Sequence, residues 1–204
     1  MNGHSAADQV TFGYPVVLDL HGVRVLVVGA GPVAVRKISG LVIAGADVRV
    51  VAPEIDEQLD TAPLRTQIGD LRRRHYETGD LEGVRLVVTA TGIEEVDAAV
   101  AADARARGIW VNAADQPADC DLILPAIARQ GSISVAVSTD GKSPALAANL
   151  RDRIASLLTP ELAALADDLA AERTAIKAAG GSTEDHDWSA RIAAVLDRPS
   201  SVSG

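Results

Sequence analysis

Apolar positions change their spacing several times along the chain, and each change predicts an element. Arg24 to Val28 (RVLVV) is a short run dominated by β-branched residues, the mark of a strand buried on both faces. Pro32 to Ala44 continues at helical spacing. Pro32 suits the first helical position, where its missing N–H costs least, and Gly45 stops the helix. Val48 to Val51, Arg74 to Glu77, Leu86 to Ala90 and Ile109 to Asn112 read as further strands. Between the last two, Glu94 to Ala106 is an Ala-rich helix with Val96 and Val100 four apart. Strands that alternate with helices in this way predict an α/β protein with a parallel, doubly wound sheet.

The pattern changes after Asp115. Asp121 to Pro125 and Ser132 to Ser138 read as strands with no full helix between them. Ser143 then caps a helix with Pro144 at its first position, running to about Leu158. Pro160 opens another, with Leu162, Leu165 and Leu169 on one face, and Gly180-Gly181-Ser182 breaks it. Trp188, Ile192, Val195 and Leu196 mark a last amphipathic helix. Residues 1–12 read as a polar, loosely ordered leader without a secretory pattern, and residues 198–204 as a disordered tail.

Composition narrows the class. Hydrophobic residues make up 48% of the 204 residues but aromatic ones only 2%, so Ala, Val, Leu and Ile must build the core. The net charge of −9 argues against a nucleic-acid partner and requires any anionic ligand to be held by local groups. Cys120 is the only cysteine, which excludes an internal disulfide and suits a reducing compartment. No apolar run is long enough to span a bilayer. The expectation is a cytoplasmic protein without a membrane partner. Histidines are scattered and no paired metal-ligand spacing appears, so no metal site is expected.

Candidate chemistry gathers in the loops after the strands. Gly29-x-Gly31-x-x-Ala34 follows a predicted strand and opens a predicted helix, the setting a dinucleotide fingerprint requires. Gly29 permits the tight turn, and Gly31 lets the backbone approach a pyrophosphate. The N–H of Val33 can then bind phosphate oxygen. Glu54, just past the second strand, is the acid placed to hold the adenosine ribose, which favours NAD over NADP. Thr89 and Thr91 end the fourth strand with small hydroxyl residues suited to lie against a cofactor. Asp115 stands three residues past the fifth strand, in VNAADQP. Spacing alone allows either a turn residue or a proton acceptor for hydride transfer there. Ser138-Thr139-Asp140-Gly141-Lys142-Ser143 offers hydroxyls, an ammonium and helix N–H groups, either as an anion cradle or as a turn followed by a cap. It is not a P-loop, because Ala136 stands where the first glycine belongs.

Together, YPVVLDL, VRVLVVGAGPVAVRK, VNAADQP, LILPA and ISVAVSTDGKSPALAANLRDRI resemble the precorrin-2 dehydrogenase/sirohydrochlorin ferrochelatase family, the N-terminal module of siroheme synthase. The resemblance runs from about Tyr14 to Leu162. It implies an NAD-binding Rossmann domain (1–120), a strand-rich dimerisation segment (121–145) and a helical C-terminal domain (146–197). It implies oxidation of precorrin-2 to sirohydrochlorin with NAD, ferrous-iron insertion as a second activity, and a homodimer. Carried over, the catalytic aspartate falls on Asp115 and cofactor contacts fall on Pro32, Val33, Pro53 and Glu54. Asn112, Ser138, Thr139 and Lys142 are the expected substrate contacts, with Lys142 the first choice among cations for a macrocycle rich in carboxylates. This chain departs from the family in placing Thr139-Asp140 after Ser138 and in lacking an aromatic before LILPA. The rival reading is a non-catalytic, NAD-sensing Rossmann domain, which would have no use for VNAADQP or STDGKSP.

Overall fold

The computed structural model describes residues 13–61, 63–114, 116–184 and 186–197. The expected leader (1–12), the tail (198–204) and Asp115 lie outside the described residues. Residue contacts divide the chain into two units, Met1–Leu124 and Pro125–Gly204.

The first unit holds a five-stranded parallel sheet in the order β3-β2-β1-β4-β5. The strands are β1 (Arg24–Val28), β2 (Asp47–Val51), β3 (Asp70–Arg72), β4 (Leu86–Thr89) and β5 (Trp110–Ala113). Helix α1 (Pro32–Ile43) links β1 to β2. The short helices α2 (Glu57–Asp60) and α3 (Leu64–Gln67) precede β3, and α4 (Glu94–Arg105) links β4 to β5. The apolar run of β1 is explained by burial on both faces. Val25 and Val27 pack with Ile38 and Leu41 of α1, while Leu26 and Val28 share a cluster with Val100 and Ala104 of α4. Small side chains at Ala34, Ala101 and Ala104, all fully buried, build much of the helix faces. That is how so few aromatics suffice.

The predicted strand at Arg74 to Glu77 is displaced. The third strand is Asp70–Arg72, and Arg74 instead turns to the carboxylate of Asp80, 2.6 Å from Oδ1. Arg72 reaches the same carboxylate at 2.7 Å, and the Glu77 amide donates to it at 3.0 Å. Asp80 is 1% exposed. Burial alone would push its carboxyl up, but the hydrogen bonds from Arg74, the Glu77 amide and Arg72 hold it below the usual carboxylate range. A buried charge so fully bonded fixes a turn, and the chain cannot run extended through it.

The second unit opens with an antiparallel pair, β6 (Ala126–Gln130) and β7 (Ile133–Val137), in register from Ala126↔Val137 to Gln130↔Ile133. Helices α5 (Pro144–Ala155), α6 (Pro160–Ala178) and α7 (Ser189–Leu196) follow. Gly131, at φ +55°, makes the hairpin turn, where a Cβ would come 2.8 Å from that of Ala163. The predicted strand at Asp121 to Pro125 is not formed. There the backbone folds back on β5, the Asp121 and Leu122 amides both donating to the Val111 carbonyl.

Candidate functional site

Strand order reverses between β1 and β4, and ligands of open α/β sheets bind where the order reverses, beyond the carboxyl ends of the strands. The turn from β1 into α1 lies there. Gly29 has φ +105°, and a Cβ on it would sit 2.3 Å from the Ala90 carbonyl oxygen, so no other residue fits. Gly31 is different. It is the N-cap of α1 in extended conformation, and a Cβ there would meet nothing within 4 Å. No side chain caps α1 and its first turn holds no acid, which leaves first-turn amides and the positive end of the helix dipole open to an anion.

A cleft runs from this turn. Gly29, Gly31, Pro53, Glu54, His75 and Tyr76 are among its lining residues, and Thr91 joins them from the loop after β4. A second hollow shares Ala90 with it and is walled by Val33, Gly92, Glu94, Asp97, Ala114 and Gln116. Five predicted cofactor contacts, Gly29, Gly31, Pro53, Glu54 and Thr91, thus meet in one cleft, and Val33 faces its neighbour. Pro32 lines neither. Thr89 also lines neither and is fully buried within β4.

Asp97 organises the loop between these two spaces. It is 3% exposed, and its Oδ1 accepts from the Thr91 hydroxyl at 2.9 Å and the Thr91 amide at 3.3 Å. Burial pushes its carboxyl above the usual range, opposed only in part by those hydrogen bonds. Tyr76 donates its hydroxyl to Asp103 at 3.1 Å; burial and that carboxylate raise its pKa far above the ordinary phenol value. Tyr76, Asp97 and Gln116 were not singled out in the sequence, and His75 was read there only as one of the scattered histidines. Only Asp97 left a signal there, as an acid in the first turn of a helix.

Asn112 is 3% exposed and its amide is engaged. Its Oδ1 accepts from the Lys37 ammonium at 2.7 Å, and its Nδ2 donates to the Leu122 carbonyl at 2.9 Å. Lys37 therefore turns towards β5 despite standing early in α1. The Cys120 thiol donates to the Ala113 carbonyl at 3.1 Å and accepts the Ala113 amide at 3.2 Å, pinning the chain where it leaves β5. Burial pushes this thiol up.

In the second unit, the Thr139 hydroxyl lies 3.0 Å from both the amide and the carbonyl oxygen of Ser143. The Ser138 hydroxyl accepts the Asp140 amide at 3.1 Å, and the Lys142 amide donates to the Thr139 carbonyl at 3.0 Å. Asp140 takes φ +56°. Among the described residues, no three His, Cys, Asp or Glu side chains converge as metal ligands, and no helix is long and apolar enough to cross a membrane.

The profile of a family described as "Putative NAD(P)-binding" matches residues 16–126, more than half of the chain. The chain belongs to this family. A second profile, "Sirohaem biosynthesis protein central", matches residues 130–157. The siroheme synthase of Pseudomonas entomophila is 42% identical over 164 residues, 80% of this chain and 35% of that protein. That of Methylococcus capsulatus is 44% identical over 158 residues, 76% of this chain and 33% of that protein. The chain thus spans about a third of the length of the curated relatives it matches. Among solved structures, SirC, a precorrin-2 dehydrogenase, superposes with a TM-score of 0.64 at 28% identity, covering 90% of this chain and 88% of that one. The Rossmann-type sheet, the small antiparallel pair and the helical region agree with the expected fold class. The bare start of α1 and the room beside Gly31 fit the dinucleotide for which the family is named.

Proposed function

We propose that this chain oxidises precorrin-2 to sirohydrochlorin with NAD, in siroheme biosynthesis. The observation that carries this reading is the likeness to a precorrin-2 dehydrogenase over nine-tenths of the chain. The glycine turn and its cleft support it independently.

When bound, NAD supplies the hydride acceptor. Held there, it would take a hydride from a ring C–H bond of precorrin-2, and a proton would be lost to complete the oxidation. The chain's own residues do the rest. First-turn amides of α1 hold the pyrophosphate, and Glu54 takes the ribose hydroxyls, which selects NAD over NADP. Asp115 accepts the proton or orients the macrocycle for its loss. Lys142 and the Ser138 hydroxyl contact substrate carboxylates, while Thr139, whose hydroxyl is given to the Ser143 carbonyl, holds the turn. Asn112, held by Lys37 and Leu122, is better suited to fixing the β5 loop than to touching substrate. The same reading assigns dinucleotide binding to residues 1–120, pairing of two copies to 121–145 and a helical domain to 146–197. It also includes a cytoplasmic setting and ferrous iron as a second substrate, inserted into the product.

The test is anaerobic. Full-length protein is mixed with precorrin-2 and NAD, and absorbance is followed beside Asp115→Ala, with ferrous iron added afterwards. NADH formation that Asp115→Ala abolishes is the expected result. A folded, NAD-binding protein that yields no NADH would replace the dehydrogenase by the sensor reading.

A further inference from the structure

The cleft beside Gly29 has a wall that the glycine fingerprint does not call for. His75 and Tyr76, from the loop after β3, line it together with Glu54 and Thr91. The loop is braced to stand there. Arg72, Arg74 and the Glu77 amide all bind the Asp80 carboxylate, and Arg74 also donates to the His75 carbonyl at 2.8 Å. Tyr76 packs its ring on the cluster that contains Val100 and Ala104, and its hydroxyl is bound to Asp103. His75 is left exposed at the cleft, within reach of a ligand.

Charge says what kind of group this wall takes. Arg72, Arg73 and Arg74 lead into the loop, and each is matched by a carboxylate: Arg72 by Asp70 and Asp80, Arg73 by Asp60, Arg74 by Asp80. Ile55, Ile93 and Val96 give the cleft apolar surface, and Ile93 is 54% exposed. An imidazole beside branched apolar side chains suits a flat, uncharged ring better than a phosphate. Position supplies that ring. A dinucleotide whose pyrophosphate rests on the start of α1 and whose ribose meets Glu54 carries its adenine past the end of β2, the strand that β3 flanks.

We propose that His75 is the base-recognition residue of the cofactor cleft, its imidazole stacking on the adenine of NAD. This rests on the NAD reading and deepens it, for it names the side chain that makes the cleft prefer a purine. Stacking strengthens with ring overlap, so a two-ring base gains more from His75 than a one-ring base does. Asp80 stands behind it as a positioning residue, since the bonds it accepts hold the loop at the cleft.

Calorimetry on the full chain tests this with two ligands, NAD and nicotinamide cytosine dinucleotide, which differ only in the base. Wild type should bind NAD about three- to tenfold more tightly, the range one aromatic contact supplies. His75→Ala should weaken NAD by about that factor and leave the cytosine dinucleotide within about twofold, so that most of the preference disappears. Tm should not move, because the side chain is exposed. His75→Phe should restore the preference, since stacking needs a ring and no hydrogen bond. Equal affinity of wild type for the two dinucleotides overturns the proposal without any variant. So does a preference that survives His75→Ala, and so does a loss that phenylalanine fails to repair. If wild type binds neither dinucleotide, the NAD reading itself fails, and the proposal fails with it.

Discussion

Two turns of this chain pass from a strand into a helix that starts with proline, and they end differently. At β1–α1 the N-cap is Gly31, with Pro32 behind it, and no side chain closes the helix end. At β7–α5 the N-cap is Ser143, with Pro144 behind it, and its hydroxyl accepts the Leu146 amide at 3.3 Å. Thr139 then brackets Ser143 from the front, touching both its amide and its carbonyl. Both stretches carry the residues of an anion site, glycines or hydroxyls ahead of a helix. The first leaves its donors for something outside the chain, whereas the second supplies acceptors of its own. A cap and a cradle draw on the same residue types, and only the hydrogen-bond partners separate them.

The sharpest way to break this contrast is within the first turn. Gly29→Ala places a Cβ against backbone at 2.3 Å and forces a side chain to φ +105°. The expected cost is about 3–5 kcal/mol, read as a large fall in Tm together with loss of NAD binding. Gly31→Ala meets no atom of the chain. It should keep Tm within a few degrees while NAD affinity falls at least tenfold, about 1.4 kcal/mol. Equal losses of Tm in the two variants would mean that Gly31 serves packing, and the open turn would lose its meaning.

The second turn gives a smaller effect of opposite kind. Ser143→Ala removes the only side-chain cap of α5. About 1 kcal/mol of stability should go, measured by denaturant midpoint, with NAD affinity unaltered. An NAD affinity that dropped with this cap would erase the division between an open turn and a closed one.

Sequence reading was sound where local pattern governs. The glycine turn, the apolar run of β1, the Ser143 cap and the proline starts all express preferences that act within a few residues. It failed where distant partners decide. Arg74 to Glu77 reads as a strand, yet Arg72 and Arg74 converge on Asp80 and bend the chain away. Nothing in the local pattern tells where Lys37 of α1 points, because Asn112, the acceptor it reaches, lies 75 residues on. Among candidate site residues, the glycines and Glu54 were legible from spacing. His75 was not, because the bend at Asp80 is what brings the loop after β3 to the cleft.

The finest distinction concerns what keeps the first turn open. Ala90 presses its carbonyl towards Gly29, and the next residue, Thr91, is tied to Asp97 through both amide and hydroxyl. The second turn needs no such outside anchor, since its hydroxyls bond within it. Burial raises the Asp97 carboxyl in the folded chain above its unfolded value of about 3.9. The folded state therefore holds this proton more tightly than the unfolded state does. Its contribution to stability is largest in acid and declines as pH rises from the unfolded pKa through the folded one. Asparagine at this position carries no charge, and its Oδ1 still accepts from Thr91. Asp97→Asn should therefore gain Tm over wild type at pH 7 and lose that gain below about pH 4. A Tm difference that stayed constant across this range would assign the anchor to hydrogen-bond geometry alone, with no part played by its buried charge.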